Sequence, residues 1–249
     1  MSDSLNGRVV AITGASSGIG EATAELVAER GGAVALGARR KDRIDALAEQ
    51  ISSAGGTAVA IETDVTDEAS ANAFIRGAAE QLGGLDALVN NAGLMLLGPI
   101  EGANTEDWRR MVEVNCLGLL YCTQEAIPLL RERGGGHIVN VSSVAGRQAR
   151  AGVGAYNLTK FGVTGFTEAL RQEGVASNIR VSSVEPGFVD TELEMHNTPE
   201  IREVLRQRYE NTGKILESQD IANAIVYVIE QPEHVAINQV LVRPTGMEF

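Results

Sequence analysis

The stretch TGASSGIG, residues Thr13–Gly20, follows a short apolar run and opens a segment with helical spacing. The preceding run, Arg8–Thr13, is rich in β-branched residues and predicts a strand, whereas Ile19–Arg30 predicts a helix. Glycines at such a junction permit a tight turn and let the amide groups of the helix N-terminus face a phosphate. The same glycines would suit an ordinary turn, but their place at the first strand–helix junction favours dinucleotide binding.

Short apolar runs and longer amphipathic segments alternate along the rest of the chain. The further predicted strands are Ala33–Gly37, Thr57–Glu62, Asp86–Asn90, His137–Ser142, Arg180–Glu185 and Gln239–Val242. The further predicted helices are Asp42–Ser53, Asp67–Leu82, Thr105–Arg131 with a break near Pro128, Ala155–Val175 and Gln219–Glu230. This alternation predicts an α/β fold, a Rossmann-like, doubly wound parallel sheet of about seven strands with helices on both faces.

The chain shows no composition shift, repeat or low-complexity run that would separate two domains. We therefore expect residues 1–249 to form a single dinucleotide-binding and catalytic domain. The least regular region is 187–213, which is polar and holds one helix-like piece, Glu200–Tyr209. A segment of this length favours a substrate lid, and a plain surface excursion is the alternative.

The bulk composition excludes several classes of partner. A formal net charge of −12 disfavours binding to a phosphate backbone, so we expect no nucleic-acid partner. No signal segment and no stretch of about 18 apolar residues is visible, so we expect no membrane span and a cytoplasmic protein. The cysteines, Cys116 and Cys122, form no disulfide framework, which fits a reducing compartment. No histidine pair has metal-ligand spacing, and we expect no metal site.

The end of the second predicted strand indicates which dinucleotide binds. It reads Gly37-Ala38-Arg39-Arg40-Lys41, with no carboxylate to accept the ribose hydroxyls of NAD. The guanidinium groups of Arg39 and Arg40 could bind the 2′-phosphate of NADP(H) through forked, charged hydrogen bonds. These residues could also be solvated charges at a helix start. Basic residues are unfavourable there without a counter-anion, however, so the pair favours NADP(H) over NAD.

Tyr156 and Lys160 lie four residues apart on a strong helical pattern and therefore share a face. A phenol of ordinary pKa is a poor acid–base group at neutral pH, but a nearby ammonium group lowers its pKa. Such a pair could exchange a proton with an alkoxide or an alcohol. The spacing alone is common by chance, so its meaning depends on what surrounds it.

Polar residues follow other predicted strands at the same edge of the sheet. Ser143 closes one strand and could hold an oxygen that gains charge, while the sequence NNAG at 90–93 closes another. Asn115 lies among apolar residues, where an amide needs a partner. Asp64, followed by Val65, could accept a hydrogen bond from an adenine amino group, although Asp64 would also suit the N-cap region of the next helix.

Taken together, TGASSGIG, NNAG, Asn115, Ser143, YNLTK and PGFVDT resemble the motif set of the classical short-chain dehydrogenase/reductase family, in its order and over essentially the whole chain. Several stretches are similar to NADP-dependent members such as clavulanic acid dehydrogenase and bacterial hydroxy-acid and secondary-alcohol dehydrogenases. The glycine turn departs from many of these members because Ser16-Ser17 stands where they carry a basic residue. Phosphate selectivity would therefore depend on Arg39 and Arg40.

The resemblance implies a role for each catalytic candidate. Tyr156 would be the general acid/base, Lys160 would lower its pKa and bind the nicotinamide ribose, Ser143 would orient the carbonyl, and Asn115 would position a water of a proton relay. The implied cofactor-binding residues are Gly14, Ser16, Ser17, Gly18, Ile19, Gly20, Arg39, Arg40, Asp64, Val65, Asn91, Ala92, Gly93, Tyr156, Lys160, Pro186, Gly187, Val189 and Thr191.

The activity implied is that of an NADP(H)-dependent oxidoreductase, which interconverts a small hydrophobic ketone or aldehyde and its alcohol by hydride transfer. One alternative is 3-oxoacyl-carrier-protein reduction, which the acidic composition disfavours because the carrier is acidic too. Another is a non-enzymatic, NADP-binding regulatory protein. The resemblance also implies a homo-oligomer, a tetramer or dimer, with Thr105–Arg131 and Ala155–Val175 as the natural interface.

The substrate itself cannot be deduced from the sequence. The candidates for the substrate pocket are Leu94, Met95, Leu96, Ala145, Gly146, Gln148, Val153, Phe188 and residues 193–198. Most of them are apolar, which favours a hydrophobic ligand. Arg147 and Arg150 keep an acidic substrate open, and His196 could touch substrate or lie in solvent.

Overall fold

The computed structural model describes residues 4–248, and seven parallel strands form one sheet within them. The strands are β1 (Val9–Thr13), β2 (Ala33–Ala38), β3 (Thr57–Glu62), β4 (Ala87–Asn90), β5 (Gly136–Val141), β6 (Ile179–Pro186) and β7 (Gln239–Val242). Their order in the sheet is β3-β2-β1-β4-β5-β6-β7. The prediction of a doubly wound parallel sheet is confirmed. The order reverses between β1 and β4, and ligands bind at such a switch point in folds of this kind.

Helices cover both faces of this sheet. They are α1 (Gly18–Glu29), α2 (Lys41–Ser53), α3 (Glu68–Leu82), α4 (Thr105–Val112), α5 (Gly118–Glu132), α6 (Gly154–Gly174), α7 (Pro199–Thr212) and α8 (Ser218–Ile229). On one face, α1, α2 and α8 pack in one apolar core; on the other, α3, α5 and α6 pack in a second. Side chains alternate along β1, with Val10 and Ile12 in the first core and Val9 and Ala11 in the second, as the two-residue period of a strand requires.

The prediction of a long helix over Thr105–Arg131 is wrong about where the helix is interrupted. The interruption is not at Pro128, which lies inside α5, but at a π-helical turn, Glu113–Leu117, between α4 and α5. Pro128 removes one backbone hydrogen bond, yet α5 continues because Ala126 and Leu130, on either side of it, are fully buried in the core. The π turn contains Asn115, and such turns are frequent at functional sites.

The other predicted strands and helices begin and end within one residue of the observed ones, except in the region 187–213. That region holds a 3₁₀ turn, Glu192–His196, followed by α7, which is three residues longer at its end than predicted. No helix among residues 4–248 is long and apolar enough to cross a membrane. The carboxyl ends of all seven strands meet at one edge, so the polar residues that follow them are brought together there.

Candidate active site

The glycine-rich turn forms the first part of this edge. Gly14 has a φ of 67°, and a Cβ on it would lie 2.9 Å from the Cα of Ala92. Gly20 has no room for a side chain either, because a Cβ would collide with the carbonyl of Gly14. The side-chain amide of Asn91 donates to the carbonyl oxygens of Thr13 at 3.0 Å and Gly14 at 3.2 Å. These contacts hold the turn in one shape, tight against the end of β4.

A cavity of about 460 Å³ runs from this turn along the edge of the sheet. The predicted site residues that line it are Gly14, Ser16, Ser17, Gly18, Ile19, Arg39, Arg40, Asp64, Val65, Asn91, Ala92, Gly93, Ser143, Tyr156, Lys160, Pro186, Gly187, Val189 and Thr191. Two predicted residues, Gly20 and Asn115, do not line it. Gly20 lies behind the turn, where its lack of a side chain lets α1 approach β4, and Asn115 is buried behind the loop that follows β4.

Tyr156 and Lys160 lie one turn apart on α6, and both side chains are buried at the cavity. The Nζ atom of Lys160 lies 5.8 Å from the centre of the Tyr156 ring and donates to the carbonyl of Val141 at 2.9 Å. The helix thus presents both groups to the same space, and the end of β5 fixes the position of the ammonium group.

Burial controls the protonation of both groups in this structure. It raises the pKa of Tyr156 to about 12, while a hydrogen bond with Ser143 acts in the opposite direction. It lowers the pKa of Lys160 to about 8. Desolvation of the phenolate is thus the largest effect on Tyr156, and the lowering of its pKa by Lys160 stays a prediction.

Ser143 lies at the start of the loop between β5 and α6. Its Oγ accepts a hydrogen bond from the backbone N–H of Ala145 at 3.0 Å, which caps a 3₁₀ turn, Val144–Gly146. Asn157 holds the rest of the loop: its amide donates to the carbonyl oxygens of Ala145 at 2.7 Å and Gln148 at 2.9 Å. The sequence analysis gave Asn157 no role, although an amide next to Tyr156 on a buried helix face was a signal that it needs partners.

Asn115 connects three elements. Its Oδ1 accepts from the N–H of Leu94 at 2.7 Å, and its Nδ2 donates to the carbonyl of Leu94 at 2.8 Å and to the Oγ1 of Thr159 at 3.1 Å. Both amide hydrogens and the amide oxygen are therefore engaged with protein atoms. The side chain ties the π turn to the loop after β4 and to α6, and its immediate effect is to position that loop.

Arg39 and Arg40, which the sequence analysis treats as a pair, differ in their contacts. Arg40 donates to the hydroxyls of Ser16 at 2.9 and 3.0 Å and Ser17 at 2.7 Å, and pairs with Glu192 at 2.6 Å. Arg39 also lines the cavity, but its side chain forms no hydrogen bond or ion pair within residues 4–248. Of these two arginines, Arg39 is the one whose side-chain donors are available to a ligand.

The comparison with known families agrees with this geometry. The family model described as short chain dehydrogenase matches residues 8–202, which is most of the chain and includes every strand but the last. The chain belongs to the short-chain dehydrogenase family.

Two curated relatives of this short-chain dehydrogenase differ greatly in length. It is 41% identical over 241 residues to a glycine betaine reductase of Emericella nidulans, a match that covers 96% of this chain but 19% of that protein. It is 39% identical over 251 residues to an uncharacterised oxidoreductase of Staphylococcus saprophyticus, covering 99% of this chain and 100% of the other. The chain thus spans about a fifth of one relative and the whole of the other.

Solved structures show the same similarity at the level of the backbone. The closed form of a serine dehydrogenase complexed with NADP⁺ is 31% identical, with a TM-score of 0.90 over 97% of this chain and 96% of that one. An alcohol dehydrogenase from Thermococcus sibiricus complexed with 5-hydroxy-NADP is 27% identical, with a TM-score of 0.86 over 97% and 98%. The two cofactors are NADP⁺ and a hydroxylated form of NADP.

Two of the adenosine-side candidates in this short-chain dehydrogenase have local structural roles as well. Oδ1 of Asp64 accepts hydrogen bonds from the N–H of Thr66 at 3.0 Å and from its hydroxyl at 2.8 Å. The N-cap of α3 is Asp67 and not Asp64. Val65 packs against Gly118, where a Cβ would lie 2.8 Å from that of Val65. Both residues still face the cavity.

The substrate side of the cavity differs in part from the prediction. Met95, Ala145, Gln148, Val153, Phe188, Leu193 and His196 line it as expected, together with the unpredicted Leu97, Val114, Leu205, Arg208, Tyr209 and Met247. The predicted residues that do not line it are Leu94, Leu96, Gly146, Glu194, Met195, Asn197 and Thr198. Leu94 is buried with Met111 in a small apolar cluster, and Gly146 lies tightly against the backbone of Lys160. Most of the missed residues lie on α7 or near the C-terminus, far along the chain from any motif. Only the folded arrangement brings them to the site.

Two arginines proposed for an acidic substrate are separated by the fold. Arg147 turns away from the cavity and binds the buried carboxylate of Glu185 and the side chain of Gln239, at 2.7 Å in the second case. Arg150 lines the cavity.

Within residues 4–248, no cluster of three metal-ligating side chains is found.

Proposed function

We propose that this chain is an NADP(H)-dependent oxidoreductase that interconverts a ketone or aldehyde and its alcohol, with Tyr156 as general acid/base. The observation that carries this proposal is the arrangement of Ser143 with the buried Tyr156 and Lys160 at the same cavity that the glycine-rich turn and Arg39 line. Related structures with NADP⁺ and with 5-hydroxy-NADP support the choice of cofactor.

The cofactor end of the cavity fits a phosphorylated dinucleotide. The N-cap residue of α1, Ser17, makes no side-chain cap, so the first amide groups of the helix are left for a phosphate group. Arg39 would bind the 2′-phosphate with its unused donors, and Asp64 and Val65 would face the adenine. When bound, the nicotinamide group of the cofactor supplies or accepts the hydride.

The chain's own residues would handle the substrate oxygen and its proton. Ser143 would donate a hydrogen bond to that oxygen as negative charge develops on it. Tyr156, whose pKa is about 12, keeps its proton through the neutral range and can therefore give it to the oxygen. Lys160, held by the carbonyl of Val141, would stabilise the phenolate that remains. In the reverse direction, the same phenolate would take the proton of an alcohol.

We further propose that residues 1–249 act as one domain in which region 187–213 is the substrate lid. Glu192 of this region lines the cavity and binds Arg40 at 2.6 Å and Arg43 at 2.8 Å. Phe188 and Tyr209, near the start and the end of the region, both line the cavity with their rings 4.9 Å apart. The region thus touches both ends of the site, which a plain surface excursion would not need to do.

A homo-oligomer in the cytoplasm is part of the same proposal. Exposed apolar side chains support it, because Leu158 on α6 is 71% exposed, Phe161 on α6 is 45% exposed and Leu120 on α5 is 38% exposed. Apolar side chains exposed on neighbouring helices favour contact with a second protein surface. These are the helices that the sequence analysis named as the interface.

The test of the activity is a turnover assay with NADPH. The purified protein is mixed with NADPH and a panel of ketones, aldehydes and 3-oxo esters, and the loss of NADPH absorbance is followed. We expect turnover of several small carbonyl compounds and little turnover of an acyl-carrier-protein thioester. Binding of NADPH without turnover across the whole panel would contradict the enzymatic proposal and favour a regulatory role.

A further inference from the structure

The loop that follows β4 has no regular secondary structure, yet two of its residues, Met95 and Leu97, line the cavity. Asn115 holds the start of this loop from behind through its two hydrogen bonds to Leu94. Within residues 4–248, the carbonyl of Met95 and the N–H of Leu97 form no bond with another backbone group. The part of the loop that faces the substrate side therefore depends on side chains for its hydrogen bonds.

Asn197, in region 187–213, supplies both missing partners. Its Oδ1 accepts from the N–H of Leu97 at 2.7 Å, and its Nδ2 donates to the carbonyl oxygens of Met95 at 3.0 Å and Glu194 at 3.1 Å. The side chain is buried, and its oxygen and both of its amide hydrogens are engaged. A buried amide is stable only while such bonds are made, so this position suits Asn197 only when the region lies against the loop.

The position of Asn197 in the chain gives these bonds a wide effect. The 3₁₀ turn Glu192–His196 ends at Asn197, and α7 begins two residues later at Pro199. The residues of α7 that line the cavity are Leu205, Arg208 and Tyr209. One side chain thus joins the start of α7 to the loop after β4, and these two segments form opposite parts of the chain's contribution to the substrate side.

We propose that Asn197 is a positioning residue that latches the lid against the loop after β4, and that substrate enters and leaves when this latch opens. The inference rests on the proposed function and names the residue that controls access to its site. A neutral hydrogen bond contributes little net free energy because water replaces it, so the latch can open and close during turnover. It differs in this from the charged contacts of Glu192 with Arg40 and Arg43.

A kinetic comparison of two alanine variants tests the latch. Asn197→Ala should raise KM about tenfold for the carbonyl compound that the wild type turns over best, because the closed lid becomes a minor state. We expect kcat to stay within about threefold and the Kd for NADPH within about twofold, since no group that touches the reacting atoms or the cofactor is changed. Asn223→Ala, at an exposed residue of α8, should match the wild type in all three quantities. An unchanged KM in Asn197→Ala, or a loss confined to kcat, would overturn the proposal.

The variant Asn197→Asp separates a latch from a general structural role. An ionised carboxylate can accept from the N–H of Leu97 but cannot donate to the carbonyl of Met95, whereas a protonated one can do both. The ratio of its KM to that of the wild type should therefore fall at least about threefold from pH 8 to pH 5.5. Comparison with the wild type at each pH cancels the titration of His196 and Glu194 nearby. The same ratio for Asn197→Ala should not change with pH, and a constant ratio for Asn197→Asp would contradict the latch.

Hydrogen exchange on the complex with NADPH tests the latch without turnover, by mass spectrometry with fragmentation that resolves single residues. Asn197→Ala should speed exchange of the Leu97 amide at least about tenfold, while the amide of Leu94, held by Asn115, stays as slow as in the wild type. Equal exchange at Leu97 in both proteins would overturn the latch even in an active enzyme. Faster exchange in Asn197→Ala, with a wild type that turns over no carbonyl compound, would instead contradict the reductase and leave the latch standing.

Discussion

At the scale of single residues, the two adjacent arginines after β2 show how the cofactor preference is built. Arg40 already spans from the hydroxyls of Ser16 and Ser17 to Glu192, whereas the donors of Arg39 are unused in the described part of the chain. A residue whose donors are free can bind a phosphate without giving up other bonds. We therefore assign recognition of the 2′-phosphate to Arg39 and a structural role to Arg40.

This assignment predicts different effects for two alanine variants. Arg39→Ala should raise the Kd for NADPH about ten- to a hundredfold and change the Kd for NADH little, because a charged hydrogen bond contributes about 1.5–3 kcal/mol. Arg40→Ala should weaken both cofactors by similar factors, since it loosens the turn that both would use. Fluorescence titration gives all four constants. A selective loss of NADPH in Arg40→Ala, with Arg39→Ala unaffected, would reverse the assignment.

His137 on β5 gives a prediction for stability against pH. Its side chain is fully buried, Nε2 lies 2.7 Å from the Oγ of Ser182, and Nδ1 has no partner in the described residues. Burial, helped by the charges of Arg180 and Arg8, lowers its pKa to about 3. Because the unfolded chain takes up this proton near pH 6.5 and the folded one does not, stability is lost as the pH falls below about 6.5.

The loss attributable to His137 should reach about 1.4 kcal/mol at pH 5.5, a range in which most carboxylates do not yet titrate. Urea unfolding at pH 7 and pH 5.5 measures the change in the free energy of unfolding. The variant His137→Asn should show a smaller change between these two pH values, whatever its absolute stability. The exposed control His234→Asn should change as the wild type does. Equal slopes in wild type and His137→Asn would show that His137 does not titrate in this way.

At the scale of elements, an ion-pair clasp connects region 187–213 to the cofactor end. We define the clasp as Glu192 with Arg40 and Arg43; its ion pairs measure 2.6 and 2.8 Å. It joins the 3₁₀ turn Glu192–His196 to the start of α2, and both Glu192 and Arg40 line the cavity. Arginine contacts lower the pKa of Glu192 to about 2, so the clasp keeps its charge through the neutral range. Because two of its three residues line the cavity, we expect the clasp to slow the release of a bound dinucleotide.

Removing the clasp should speed the release of the cofactor. Each exposed ion pair contributes about 0.2–1 kcal/mol, so Glu192→Gln should raise the dissociation rate of NADPH about two- to tenfold in stopped-flow displacement. Glu210→Gln, which removes a carboxylate paired with Arg206 on α7, is the matched control and should release NADPH at the wild-type rate. If Glu192→Gln releases NADPH no faster than this control, the clasp does not retain the cofactor.

The elements also show where sequence patterns suffice and where they fail. The bounds of most strands and helices could be predicted to within one residue because apolar periodicity and burial coincide in a parallel sheet. The π turn at Glu113–Leu117 could not, since its apolar pattern fits an ordinary helix. The bonds of Asn115 to Leu94 and Thr159 join residues far apart in the chain, which no local pattern shows. Pro128 was a misleading signal because buried neighbours hold the helix on both sides.

The candidate site also has residues that sequence patterns predict and residues that they do not. Tyr156, Lys160 and Ser143 were found from motifs with fixed spacing and short range along the chain, and the structure brings them to one cavity. Arg208 and Tyr209 could not be found in this way, because they lie on α7, outside every motif, and only the folded chain brings them to the cavity. Substrate recognition is therefore the part of the site that depends most on tertiary structure.

At the scale of the whole molecule, the exposed apolar residues of α5 and α6 predict self-association. Leu158 and Phe161 lie on one stretch of α6 at 71% and 45% exposure. Replacing both with glutamate should convert a dimer or tetramer into a monomer of about 26.3 kDa in light scattering, because like charges would then face each other across the interface. Val204→Glu, at an apolar residue of α7 with 45% exposure, should leave the oligomer intact. A wild-type protein that is monomeric at micromolar concentration would contradict this prediction.

The central claim is that Tyr156 moves the proton while other residues hold the cofactor, and one paired measurement on Tyr156→Phe tests it most directly. This variant removes only the hydroxyl and keeps the ring in place. We predict that kcat for carbonyl reduction falls at least about a hundredfold while the Kd for NADPH stays within about twofold of the wild-type value. Tyr227→Phe, at an exposed tyrosine on α8, should alter neither quantity. A Tyr156→Phe protein that keeps near-wild-type kcat would contradict the account.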